Sequence, residues 1–133
     1  MTSTVEYKGN LRTEAIHIES GTKIITDAPK DNFGNGESFS PTDLLATSLS
    51  ACMLSIMGIV AKRDNIDLIG LTTEVTKVMY SEPRRVGEIH VKLFMPHGLD
   101  EKQRKLLEHA ANTCPVAKSL HPDIIQKIEF IYT

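Results

Sequence analysis

Ser40-Pro41-Thr42-Asp43-Leu44-Leu45-Ala46-Thr47-Ser48-Leu49-Ser50-Ala51-Cys52-Met53-Leu54-Ser55-Ile56-Met57-Gly58-Ile59-Val60-Ala61 is the stretch around which the rest of the chain is organised. Ser40 suits an N-cap and Pro41 a first helical position, and Asp43, three places past the cap, can return its carboxylate to the free amides of the first turn. From Leu44 to Ala61 no residue is charged, and apolar side chains occur all round the helix rather than along one stripe. That is the pattern of a helix surrounded by protein. A thiol, Cys52, sits at its middle. The uncharged run of 18 residues reaches the lower limit of a bilayer span, but Thr47, Ser48, Ser50, Ser55 and Gly58 interrupt it. A buried helix of a soluble protein is expected, with no membrane partner.

Working outward, 133 residues with 41% apolar and 24% charged side chains predict one domain, 1–133, around one core. A formal net charge of -2 and the lack of a basic cluster exclude a nucleic-acid footprint. The opening Met1-Thr2-Ser3-Thr4-Val5-Glu6-Tyr7-Lys8 has no basic segment leading into an apolar one, which predicts no secretory signal and a cytoplasmic location. Cys52 and Cys114 form no Cys-x-x-Cys pair; in a cytosolic protein they are two inert thiols or a redox pair.

Residues 3 to 8, 11 to 18 and 22 to 27 read as strands of an antiparallel meander, separated by Gly9-Asn10 and Ser20-Gly21. On the second strand Arg12 shares a face with Glu14, Ile16 and Ile18. A turn-rich loop from Asp27 to Phe39 leads into the central helix, with Phe33 and Phe39 as apolar contacts at the mouth of a site. Strands are predicted from about Leu68 to Tyr80 and from Glu88 to Met95, the second with Ile89, Val91, Leu93 and Met95 on one face, and Arg84 and Arg85 solvated in the turn between. Asp100 and Gln103 form a capping box for a helix running to about Asn112, whose apolar face Leu107, Ala111 and Cys114 continue. Cys114 precedes Pro115 and a helical turn from Val116 to Leu120, where free amides favour a thiolate. Ile124 to Tyr132 reads as a closing strand.

The five histidines make no common metal-ligand spacing, alone or with Cys114, so no metal site is expected. Nothing resembles a nucleophile elbow, and thiol redox is the chemistry that remains. A peroxide-reducing cysteine must be a thiolate, shielded against over-oxidation, with a second thiol close enough to close a disulfide. Cys52 and Cys114 are the candidates. Mid-helix, Cys52 gains little from the helix dipole, so a neighbouring cation must favour its thiolate, and Arg12 is a candidate because its charge is fixed.

Taken in order, Ser40 to Met53, a strand pair, and then Cys114-Pro115-Val116-Ala117-Lys118-Ser119-Leu120 strongly resemble the OsmC/Ohr family over nearly the whole chain. The resemblance implies an α+β fold of curved antiparallel sheets around long central helices, in an intertwined homodimer with two sites at the subunit interface. It implies a Cys-based hydroperoxide reductase without cofactor, with Cys52 peroxidatic, Cys114 resolving, Arg12 the active-site arginine, and a small dithiol or redox protein as reductant. One departure stands out. The family's glutamate lies ten residues before the peroxidatic cysteine, where this chain has Thr42, and the nearest carboxylate is Asp43. Asp43 is expected to cap the helix, and the chain resembles the less characterised OsmC-like subgroup. The competing reading is a dimeric stress protein that binds an apolar small molecule or senses redox state without turnover.

Overall fold

Ser40 and Asp43 close a reciprocal cap: the Asp43 amide donates to Ser40 Oγ at 3.0 Å and the Ser40 amide donates to Asp43 Oδ2 at 2.9 Å. The helix they start, α1, runs from Pro41 to Arg63. In the computed structural model, which describes residues 1–133, strands β1 (Ser3–Gly9), β2 (Arg12–His17) and β3 (Lys23–Asp27) and a 3-10 turn at Lys30–Asn32 precede it. After it come β4 (Thr72–Tyr80), β5 (Arg85–Phe94), α2 (Glu101–Asn112), α3 (Pro115–Ser119) and β6 (Ile125–Ile131). The chain forms two compact units, Met1–Leu45 and Ala46–Thr133.

The first unit is an antiparallel sheet in the order β1-β2-β3. Its first hairpin turns on Asn10 and Leu11, both at positive φ (52° and 63°), one position beyond the Gly9-Asn10 expected from sequence. Gly9 pairs with Arg12 and a bulge between Tyr7 and Gly9 absorbs the extra residue. A leucine in the left-handed region costs about 1 kcal/mol, which the pairing on either side holds in place. Val5, Tyr7 and Ile24, on one face of this sheet, are exposed.

The second unit holds the core. Its sheet has the order β4-β5-β6, with β4 and β5 antiparallel and β6 parallel to β5. The sheets are therefore not antiparallel throughout: the chain returns to β6 through α2 and α3, and a helical connection brings a strand back in the same direction. Ile89, Val91, Leu93 and Met95 point inward as the alternation predicts, and cluster with Leu107 and Ala111 of α2, Cys114, and Ala46, Leu49, Met53 and Met57 of α1. These α1 residues form one stripe at spacings of three and four. The expectation of a helix covered on every side does not hold within the chain. Ile59 is 64% exposed, and the outer face of the helix has no covering from its own chain. α1 meets the length and hydropathy of a bilayer span, yet its stripe is packed into this core.

The capping box of α2 forms as predicted, Asp100 accepting from the Gln103 amide at 2.8 Å and Gln103 returning the bond. Tyr132, just past β6, donates to Glu108 of α2, and the Arg104 guanidinium lies 4.1 Å over its ring. Arg85 is not simply solvated: it donates to the carbonyls of Ser81 and Pro83, both at 2.9 Å, and stacks on Tyr80. A Cβ at Gly87 would lie 2.2 Å from the Tyr80 ring, which is why the strand carries glycine there.

On the same sheet, Glu88 accepts from the Tyr80 hydroxyl at 2.6 Å, meets His90 Nε2 at 2.7 Å, and pairs with Lys127 Nζ at 3.2 Å. The Tyr80 hydrogen bond first, then those of His90 and Lys127, hold the Glu88 carboxyl down to about 2, against the penalty of burial. A carboxylate lowered in the folded state stabilises the protein above its unfolded value of about 4.3, and that contribution is lost as pH falls through the folded value. The urea midpoint is expected to fall between about pH 5 and pH 2, and Glu88→Gln to flatten that limb. An unchanged slope in the variant would remove Glu88 from the acid transition.

Candidate functional site

Cys52 lies on α1 one residue before the buried stripe residue Met53 and is partly exposed. Cys114 is fully buried and caps α3: its backbone is extended (φ -65°, ψ 150°), Pro115 occupies the first helical position, and the Ala117 amide donates to its Sγ at 3.4 Å. The extended conformation is the one that a following proline enforces. Both cysteines are free thiols, and Cys52 packs against the core cluster that holds Cys114, near enough to act on its thiol. The structure thus brings together two thiols 62 positions apart in sequence.

The expected thiolate at Cys114 is not what the surroundings favour. Burial pushes the Cys114 thiol up, the Ala117 amide pulls it down, and the hydrogen bond and charge of Cys52 push it up again. Burial outweighs the amides, because a five-residue helix offers only a few donors to a sulfur with no access to water. Cys114 is a protonated thiol at neutral pH.

In the Met1–Leu45 unit, β2 carries Arg12 directly opposite Asp27 of β3. Arg12 Nε donates to Asp27 Oδ1 at 2.7 Å and Nη2 to Asp27 Oδ2 at 2.9 Å, a side-on bidentate pair, and Nη2 also donates to Glu37 Oε2 at 3.1 Å. The Glu37 amide donates to Asp27 Oδ2 at 3.1 Å. The Arg12 hydrogen bonds hold the Asp27 carboxyl below the usual carboxylate range in spite of its burial, and the same contacts raise Arg12 further. Arg12 is therefore a permanent cation with a buried carboxylate beside it.

Thr42 and Asp43, the supporting candidates, belong to the α1 cap: Thr42 Oγ1 meets Ser40 Oγ at 3.2 Å, and Asp43 exchanges hydrogen bonds with Ser40. Phe33 and Phe39 in the preceding loop are both exposed. Asp27 and Glu37 were missed by the sequence reading, which placed Glu37 in a turn-rich connection and Asp27 at its junction with the third strand. The signal that could have found Asp27 is the strand register, since the loop 18–22 between β2 and β3 fixes which residue stands opposite Arg12. No group of three or more His, Cys, Asp or Glu side chains gathers at metal-binding range.

No curated protein matches the sequence. Among solved structures, a Psychrobacter arcticus protein, named as a candidate osmotic stress induced and detoxification response protein, is 57% identical. It superposes with a TM-score of 0.95, covering 98% of this chain and 96% of that one. An organic hydroperoxide resistance protein OsmC from Legionella pneumophila shares the fold at 19% identity and a TM-score of 0.76, over 98% of this chain and 96% of that one. A protein from Elizabethkingia anophelis, named an organic hydroperoxide resistance protein, does so at 20% identity and 0.76, over 100% and 97%. Residues 34–129, well over half of the sequence and including both cysteines, match the family of OsmC-like proteins, and the chain belongs to the OsmC/Ohr family.

Proposed function

We propose that the protein is a thiol-dependent reductase of organic hydroperoxides or hydrogen peroxide. The observation that carries this reading is a partly exposed thiol, Cys52, packed against the core cluster that holds a buried one, Cys114. Membership of a family with organic hydroperoxide resistance proteins supports it, and the name of the Psychrobacter relative supports a stress-related role.

The Cys52 thiolate attacks the terminal oxygen of the peroxide. An S–O bond forms, the O–O bond breaks, and the alkoxide takes up a proton and leaves as an alcohol, or as water from hydrogen peroxide. Sulfur is oxidised to sulfenic acid and the peroxide is reduced. Cys114 Sγ then attacks Cys52 Sγ; its proton and the sulfenic hydroxyl leave as water, and a disulfide remains. A small dithiol or a redox protein restores both thiols by exchange and is itself oxidised to a disulfide. Arg12 supplies the permanent cation for the thiolate and the peroxide, and no cofactor takes part. The working form in this proposal is a cytoplasmic homodimer, in which a second copy covers apolar groups left open by a single chain, among them Ile59, Val5, Tyr7 and Ile24.

One equivalent of tert-butyl hydroperoxide added to the reduced protein is expected to give a Cys52–Cys114 disulfide, seen as a linked peptide by mass spectrometry, and in Cys114→Ser a Cys52 sulfenic acid trapped by dimedone. Reduced Cys52 in both samples would overturn the reductase. The second reading, a non-catalytic binding or redox-sensing stress protein, is favoured by Thr42 at the place of the family's glutamate. It predicts no oxidation, or oxidation that a dithiol reverses without sustained peroxide consumption.

A further inference from the structure

We infer that Asp27, backed by Glu37, is the positioning residue for Arg12, resting on the reductase reading above for the role of Arg12 itself. Asp27 is 1% exposed and stands at the end of β3. A carboxylate so buried is kept only if its oxygens are engaged, and both are: Oδ1 by Arg12 Nε, Oδ2 by Arg12 Nη2 and by the Glu37 amide. Its own backbone is fixed as well, since the Asp27 amide donates to the Phe39 carbonyl at 3.0 Å.

The consequence falls on the arginine. The side-on pair takes the Nε–Nη2 edge, and Glu37 adds to Nη2, which leaves Nη1 as the end of the guanidinium without a bond inside the chain. The Arg12 side chain is 35% exposed with its Nε–Nη2 edge clamped, so in the reductase reading Nη1 is the end left to meet a peroxide. Glu37 differs from Asp27: it is 68% exposed and makes one 3.1 Å contact to the head, so it is the exchangeable partner and Asp27 the fixed one. Asp27 touches no reacting atom in this scheme; it acts by setting which end of Arg12 faces the chemistry.

The test compares wild type, Arg12→Ala, Asp27→Asn and Glu37→Gln, reading kcat/KM for tert-butyl hydroperoxide with dithiothreitol and the pH midpoint of Cys52 alkylation by iodoacetamide. Asp27→Asn is expected to lower kcat/KM about tenfold or more and to move the alkylation midpoint upward, in the same direction as Arg12→Ala. Glu37→Gln is expected to cost about threefold with an unchanged melting temperature, the size of an exposed ion pair. A carboxylate that merely balances charge would do the opposite when removed, freeing the cation and moving the midpoint down. A folded Asp27→Asn with a wild-type or lowered midpoint overturns the positioning role. If Asp27→Asn does not fold, Asp27→Glu, which keeps the charge but lengthens the side chain, is read in its place, and wild-type kcat/KM with a wild-type midpoint there overturns it. Wild-type behaviour of Arg12→Ala would instead overturn the role given to the arginine, and the Asp27 proposal with it.

Discussion

Cys52→Ser is expected to reduce dithiol-dependent peroxide consumption to the rate of the buffer blank, a loss of on the order of a thousandfold or more, because in the proposed mechanism the group that takes up the peroxide oxygen is gone. Cys114→Ser is expected to behave differently. Its Cys52 still reacts once, so the first turnover survives, but the sulfenic acid then has no resolving thiol and is reduced only by direct attack of the external dithiol. Steady-state consumption falls by a smaller factor than in Cys52→Ser, and under excess peroxide the variant loses activity with time as sulfinic acid accumulates. Burial is the reason Cys114 cannot replace Cys52 as the attacking thiol: it is fully buried, and its thiol is pushed up. Ferrous xylenol-orange assays of the remaining peroxide on the three proteins check this, and equal rates in all three would sink the mechanism.

The parts of this arrangement that were legible in the sequence are those set by neighbours along the chain. Ser40 and Asp43 are three residues apart, so their reciprocal bonds follow from helix geometry alone, and the same holds for Asp100 and Gln103. The alternation of Ile89, Val91 and Leu93 reports a half-buried strand whatever lies on either side of it. Position across strands is a different matter. A second turn centred on Ser20-Gly21 would set Pro29 opposite Arg12, whereas the observed register sets Asp27 there. The Asp27 partner was therefore hidden by a turn centred one position too late, which moves every partner two residues along the strand.

Two further features depended on packing that no local pattern encodes. Cys114 was read from its cap, which is present, while its protonation follows from complete burial. The composition of α1 carries no stripe, since Leu45, Ile56, Ile59 and Val60 are as apolar as Leu49 and Met53. Only the placement of β5 and α2 selects Ala46, Leu49, Met53 and Met57 as the face that a single chain buries. The apolar residues left over explain why the sequence looked like a helix enclosed on all sides.

That division of α1 gives the other large expected effect. Leu49 is fully buried in the core with Met53, Ile89 and Leu93, so Leu49→Asp removes about 1.5–3 kcal/mol of apolar burial and places a carboxyl where it must be desolvated or protonated. Against a total stability of roughly 5–15 kcal/mol, this variant is expected to be unfolded or aggregated at 25 °C. Ile59→Asp, on the same helix, meets the opposite situation. The side chain is 64% exposed in the single chain, and an aspartate there faces Lys62 and Arg63 at the next turn, so the fold is expected to change by no more than about 0.5 kcal/mol. If a second copy covers this face in the working homodimer, the charge must be buried at the interface, and Ile59→Asp is expected to sediment as a folded monomer while wild type sediments as a dimer. A folded Leu49→Asp would remove that residue from the core. A fully dimeric Ile59→Asp would place the interface elsewhere. A monomeric Ile59→Asp that consumed peroxide at the wild-type rate would show that one chain holds the whole site.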